Sequence, residues 1–108
     1  MNEDGLKAMY DRFRAKYFNG SHLPEWEDFD FRWTRCKKNS ALVDVSPKSG
    51  EVLFLELNQK NAWSEKSVAA ALLHEQIHMQ GDPFLSHGKA FWMDVDRIMK
   101  LGAAKEFF

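Results

Sequence analysis

The sequence predicts an α+β domain in which helices pack on a small sheet, and three observations carry that prediction. An amphipathic stretch opens the chain, three β-rich runs follow, and two further segments return to helical spacing, giving the order α-β-β-β-α-α. At 108 residues the chain suits one domain, residues 1–108, with a single modest core. No repeat, low-complexity stretch or linker divides it.

Leu6, Met9, Tyr10, Phe13 and Tyr17 recur at three-and-four spacing, with Asp4 placed as a cap and Asn19-Gly20 as a stop, so a helix is expected over about residues 4–18. Pro24 marks the break. Phe29, Phe31 and Trp33 alternate with Asp28, Asp30 and Arg32, the period of a half-buried strand. Ala41 to Ser46 and Glu51 to Leu57 are β-rich runs joined by Pro47-Lys48-Ser49-Gly50 and should form an antiparallel hairpin, so the sheet is three-stranded, antiparallel or mixed. Ser64 is placed to cap a second helix that carries Val68, Leu72, Leu73 and Ile77 inward, ended by Gly81 and Pro83. Ser86 is placed to cap a C-terminal helix with Phe91, Trp92, Val95, Ile98 and Met99 as its apolar stripe, stopped by Gly102.

A hydrophobic fraction of 44%, nine Phe and four Trp fit a compact soluble globule, and no apolar run approaches the ~20 residues of a membrane span. Met1-Asn2-Glu3-Asp4 is acidic where a secretory signal would be basic and then apolar, so cytoplasmic residence is expected. A monomer is the separate default expectation, since the sequence does not encode oligomeric state. Cys36 is the only cysteine, which excludes an internal disulfide and any Cys-x-x-Cys zinc ribbon. Its neighbours Arg35, Lys37 and Lys38 supply no histidine to activate a thiolate. The net charge of −1 provides no diffuse attraction to nucleic acid.

The chemistry concentrates in His74-Glu75-Gln76-Ile77-His78 and the following His87-Gly88-Lys89-Ala90-Phe91. On a helix, positions i and i+4 share a face, so His74 and His78 can present imidazoles to one ion while Glu75 is turned roughly 100° away. That offset suits a base acting on a metal-bound water. Hydrolytic zinc takes three protein ligands and keeps a fourth position for water, whose pKa falls to about 7. Zinc peptidases with this helix motif differ in the third ligand. One spacing demands histidine at position 84, which is Phe84; another takes a carboxylate from the next helix, where Asp94 and Asp96 are expected on the solvated face. His87 needs only that the loop from Gly81 to Ser86 turn the chain back over the ion.

Further residues bear on the site. Tyr10, Tyr17 and His22 are possible hydrogen-bond donors to a tetrahedral intermediate, although the tyrosines also fit the core of the first helix. Arg32, Trp33, Arg35, Lys37 and Lys38 interleave cations with an aromatic, a pattern that serves either a nucleic-acid contact, best for single strands, or an ordinary charged loop. Trp26 and Trp63 either rim a substrate cleft or close the core.

From Met9 to Trp92 the chain resembles the SprT-like (Spartan-type) zinc metallopeptidase domain. The resemblance rests on Met9-Tyr10 and Phe13, Phe18-Asn19-Gly20 with Leu23-Pro24, Phe31-Arg32-Trp33, Leu55-Glu56-Leu57-Asn58, Leu72 to His78, and His87 to Phe91 in that order. It implies a zincin-like fold, Zn2+ held by His74, His78 and His87, Glu75 as general acid/base, and cleavage of proteins crosslinked to or tightly bound on DNA. The expected function is thus a zinc-dependent endopeptidase acting on unfolded or DNA-associated protein segments. The alternative is a catalytically weak zinc-stabilised module that binds protein or nucleic acid; a purely structural zinc site would ordinarily use four ligands, cysteines among them.

Overall fold

The computed structural model describes residues 2–19, 23–35, 41–46, 49–60 and 64–107. Helix α1 spans Glu3–Tyr17 and buries Leu6, Met9, Tyr10, Phe13 and Tyr17, the stripe that the spacing predicts. Its cap is Asn2 rather than Asp4. The Asn2 Oδ1 accepts the Gly5 N–H at 2.9 Å, and Glu3 and Asp4 lie in the first turn, where acidic groups favour the positive end of the helix dipole.

After a 3-10 turn at Trp26–Asp28 come strands β1 (Asp30–Thr34), β2 (Ala41–Val45) and β3 (Val52–Asn58). The sheet order is β1-β3-β2. The expected hairpin is present as antiparallel β2 and β3, whereas β1 runs parallel to β3, so the sheet is mixed. Gly50 adopts φ 74° in the hairpin turn, a conformation that favours glycine, and its N–H donates to the Ser46 carbonyl. Pro47 and Lys48 of that turn lie outside the described residues. Leu55 and Leu57 of the central strand are fully buried, and Phe31, Trp33, Ala41 and Val43 pack against the same core.

Helix α2 (Glu65–His78) starts at Ser64, whose side chain accepts the Ser67 N–H as predicted. Val68, Ala69, Leu72, Leu73, Glu75, Gln76 and Ile77 are buried, which at 100° per residue covers roughly 200° of the helix circumference. Such a helix has neighbours on most sides, and α2 indeed packs against α1, β2 and β3 as well as both C-terminal helices. The Gln76 side-chain amide reaches across to the Tyr10 carbonyl and ties α2 to α1.

Helix α3 (Lys89–Ile98) begins at Gly88, not at a Ser86 cap, because residues 81–88 form the turn that brings the chain back across α2. A π-turn at Met99–Ala103 leads into helix α4 (Ala104–Phe107). Gly102, at φ 120°, therefore kinks the chain rather than ending it, and Phe107 folds back edge-on to Phe13 at 5.1 Å. The apolar stripe of α3 also needs correction. Phe91, Asp94 and Ile98 face inward, while Trp92 is 59% exposed. Asp94, expected on the solvated face, is buried because its carboxylate is satisfied: it accepts from the Gln80 amide at 2.8 Å and from Arg97 Nε at 2.6 Å. Arg97 in turn donates to the Tyr17 carbonyl and lies over the Phe18 ring, clasping α3 to the end of α1. Among the described residues no helix is long and apolar enough to cross a membrane.

This clasp makes Asp94 a structural carboxylate. Asp94→Ala should lower stability by about 1–2 kcal/mol, measured by urea denaturation, since it strips partners from Gln80 and the half-exposed Arg97. Zinc stoichiometry should be unchanged; loss of zinc would instead make Asp94 a ligand.

Candidate metal centre

His74 and His78 occupy the strip of α2 that the core leaves uncovered, one turn apart. The loop after α2 carries His87 over them. Their Nε2 atoms form a nearly equilateral triangle: His74 to His78 at 3.2 Å, and His87 at 3.1 Å from each. An ion with Zn–N bonds of 2.0–2.1 Å at tetrahedral angles would space its nitrogens by about 3.3 Å, so the three fit a zinc ion with little adjustment. Among the described residues they are the one group of histidines, cysteines or acids placed to hold a metal.

The protonation pattern suits that role. His78 Nδ1 lies 2.8 Å from the Phe84 carbonyl oxygen, which can only accept, so Nδ1 carries the proton and Nε2 offers its lone pair. Burial, and then repulsion from His78 and His87, lowers the His74 pKa to about 4. His78 is also lowered, chiefly by burial, against the opposing effect of the Phe84 carbonyl. Neutral imidazoles near pH 7 are what a metal requires.

Glu75 is 6% exposed and has no ion pair or side-chain hydrogen bond among the described residues. Burial alone pushes its pKa up to about 7. A divalent cation beside it would draw that value back down. Glu75 and the three histidines line an open groove of about 280 Å3 whose other walls are Ala41, Val43 and Val45 of β2 and Leu85 of the loop. β2 pairs only with β3, so its other edge is free among the described residues.

The remaining predicted residues sit elsewhere. The Tyr10 hydroxyl donates to the Pro24 carbonyl at 2.6 Å and the Tyr17 hydroxyl to Glu106 at 3.3 Å, so both tyrosines are core residues with occupied protons. Trp26 packs against the core beside Tyr10, Phe29 and Phe31. Asp96 pairs with Lys100. In the basic cluster, Arg32 is bound to Glu56 and lies over the Phe54 ring, Arg35 donates to Gln59, and Trp33 is half-buried edge-on to Phe31. These three candidate nucleic-acid contacts thus already have intramolecular partners; Lys37 and Lys38, like His22, Cys36 and Trp63, lie outside the described residues.

Two contributors to the site are not assigned a role in it by the sequence. The Phe84 carbonyl fixes the His78 tautomer, and a backbone acceptor leaves no side-chain signal. Phe91, which spacing places in the apolar stripe, packs against all three imidazoles. No family model, curated protein or solved structure matches the chain.

His87 is exposed and belongs to no helix or strand, so His87→Ala should leave the metal-free fold unchanged by thermal melting. Zinc affinity, measured by chelator competition, should fall on the order of 100-fold or more. Wild-type affinity in that variant would put the third ligand elsewhere.

Proposed function

We propose that the protein is a zinc-dependent endopeptidase of the SprT-like, zincin-like kind, acting on extended or unfolded polypeptide segments. The observation that carries this reading is the convergence of three imidazole nitrogens within 3.2 Å beside a buried carboxyl in an open groove. His74, His78 and His87 would hold the zinc, which would supply a Lewis acid that lowers the pKa of water to about 7. Glu75 takes the proton of the attacking water and returns it to the departing amine. Burial raises the Glu75 pKa and a bound cation would lower it, opposing effects that act on the same carboxyl.

The groove supports a peptide substrate. The free edge of β2 offers backbone donors and acceptors beside the histidines, and an extended segment can add there as a further strand. Ala41, Val43, Val45 and Leu85 give the walls an apolar character suited to side chains that unfolded protein exposes. Glu75 favours catalysis over simple binding. Its carboxyl lines the groove beside the three imidazoles, and a module that only binds has no need of a base there.

Glu75→Gln preserves shape while removing the base. It should keep zinc content and melting temperature near wild type and reduce casein cleavage by about 10²- to 10⁴-fold. Undiminished cleavage would remove Glu75 from the mechanism. Failure of the zinc-loaded wild type to cut casein or histone, with or without single-stranded DNA, would replace the peptidase reading with a binding one.

A further inference from the structure

Six ring-to-ring distances describe an arrangement that the ligand motif does not require. The centroids of His74, His78 and His87 lie 4.8–5.0 Å from one another, and the Phe91 centroid lies 4.9, 4.8 and 4.9 Å from them in turn. The four rings thus sit at the corners of a nearly regular tetrahedron, three corners imidazole and the fourth phenyl. Phe91 stacks on His78 at 27° and meets His74 and His87 at 61° and 80°. It is fully buried and is not among the residues that line the groove. The ring therefore backs the cluster on a side closed to solvent.

The chain's path makes this contact consequential. His74 and His78 are fixed on the central helix, but His87 is exposed and lies in the loop of residues 81–88. Phe91 stands in the first turn of α3, just after that loop, and the turn is set by the Trp92 N–H donating to the Gly88 carbonyl. One side chain thus locks the start of α3, and with it His87, against the two histidines of α2.

We propose that Phe91 is a positioning residue for the metal centre: its ring assembles the three imidazoles before metal arrives and leaves the groove as the side from which an ion and its water are reached. This rests on the metal-centre reading above, though not on proteolysis. A flat ring suits the site because it stacks on one imidazole and meets the other two at steep angles, both favoured aromatic geometries. A branched aliphatic group of similar bulk fills the space without orienting them. Pre-assembly spares the bound state the ordering of a loop, and so it appears as affinity.

The experiment compares Phe91→Leu with Phe13→Leu, a core substitution whose ring partners are Tyr17 and Phe107 rather than the histidines. Zinc affinity is measured by chelator competition, the visible spectrum with cobalt(II) in place of zinc, and folding by melting of the metal-free chain. Phe91→Leu should weaken zinc binding about 10- to 100-fold, the usual effect of losing a group that orients metal ligands, and alter the cobalt spectrum. Phe13→Leu should lower the melting temperature yet leave affinity within about twofold and the spectrum unchanged. Equal weakening in both variants, or wild-type affinity in Phe91→Leu, overturns the proposal. A second measurement needs no variant: in the metal-free wild type, nuclear Overhauser effects should connect the Phe91 ring protons to all three imidazoles. Their absence overturns pre-assembly, even if Phe91→Leu fails to fold. A chain that passes these tests but cuts no substrate would sink the peptidase reading and leave the positioning role intact.

Discussion

The fold depends on one constraint: α2 serves both as the middle of the core and as the floor of the groove. Its buried arc is packed by α1, the sheet and the C-terminal helices, leaving the remaining side for His74 and His78. That packing is what makes the pair useful. Imidazoles on a helix free to roll or fray would present their nitrogens only part of the time, whereas a helix held on most of its circumference fixes one edge of the Nε2 triangle. The third nitrogen comes from a loop, and the surrounding structure works mainly to bring it in. Residues 81–88 reverse the chain, the Phe84 carbonyl engages His78, and Phe91 seats the start of α3 on the same cluster.

The site also carries costs that a core built only for stability would avoid. Burial disfavours the charged forms of both His74 and Glu75, in opposite pKa directions: the histidine toward about 4 and the glutamate toward about 7. The result is that His74 favours its neutral form, as a metal ligand must, next to a carboxyl whose charged form burial disfavours. The buried Asp94 carboxylate, by contrast, is satisfied locally by Gln80 and Arg97, whereas Gln76 Oε1 is buried without a partner among the described residues. Glu75 is the contrasting carboxylate, shifted by burial alone and facing the groove.

Much of this was legible in the sequence because it depends on neighbours along the chain. Apolar spacing places α1, α2 and the β2–β3 hairpin to within a residue or two, and the His74–His78 pair is an i, i+4 relation that any helix satisfies. What the sequence leaves open is non-local. Trp92 and Asp94 both have plausible faces on an isolated helix; only docking of α3 on α2, with Gln80 and Arg97 waiting for a carboxylate, turns Asp94 in and Trp92 out. The parallel pairing of β1 with β3 brings together strands that no hairpin links, and alternation alone fixes no direction. Caps fail more locally: Asn2 begins a helix for which Asp4 is equally suitable by residue type, and Gly88 begins one for which Ser86 is the better cap by type. Arg32 shows the same limit, since only the register of β1 against β3 reveals Glu56 as its partner.

The account rests on three imidazole nitrogens holding one metal ion. X-ray absorption at the zinc edge, on the chain loaded with one equivalent of zinc, tests this most directly. The predicted first shell is three imidazole nitrogens and one oxygen at about 2.0–2.1 Å with no sulfur. A scatterer at about 2.3 Å would bring in a thiolate, and a shell of oxygens without the imidazole signature would mean adventitious binding; either result would contradict the centre described here.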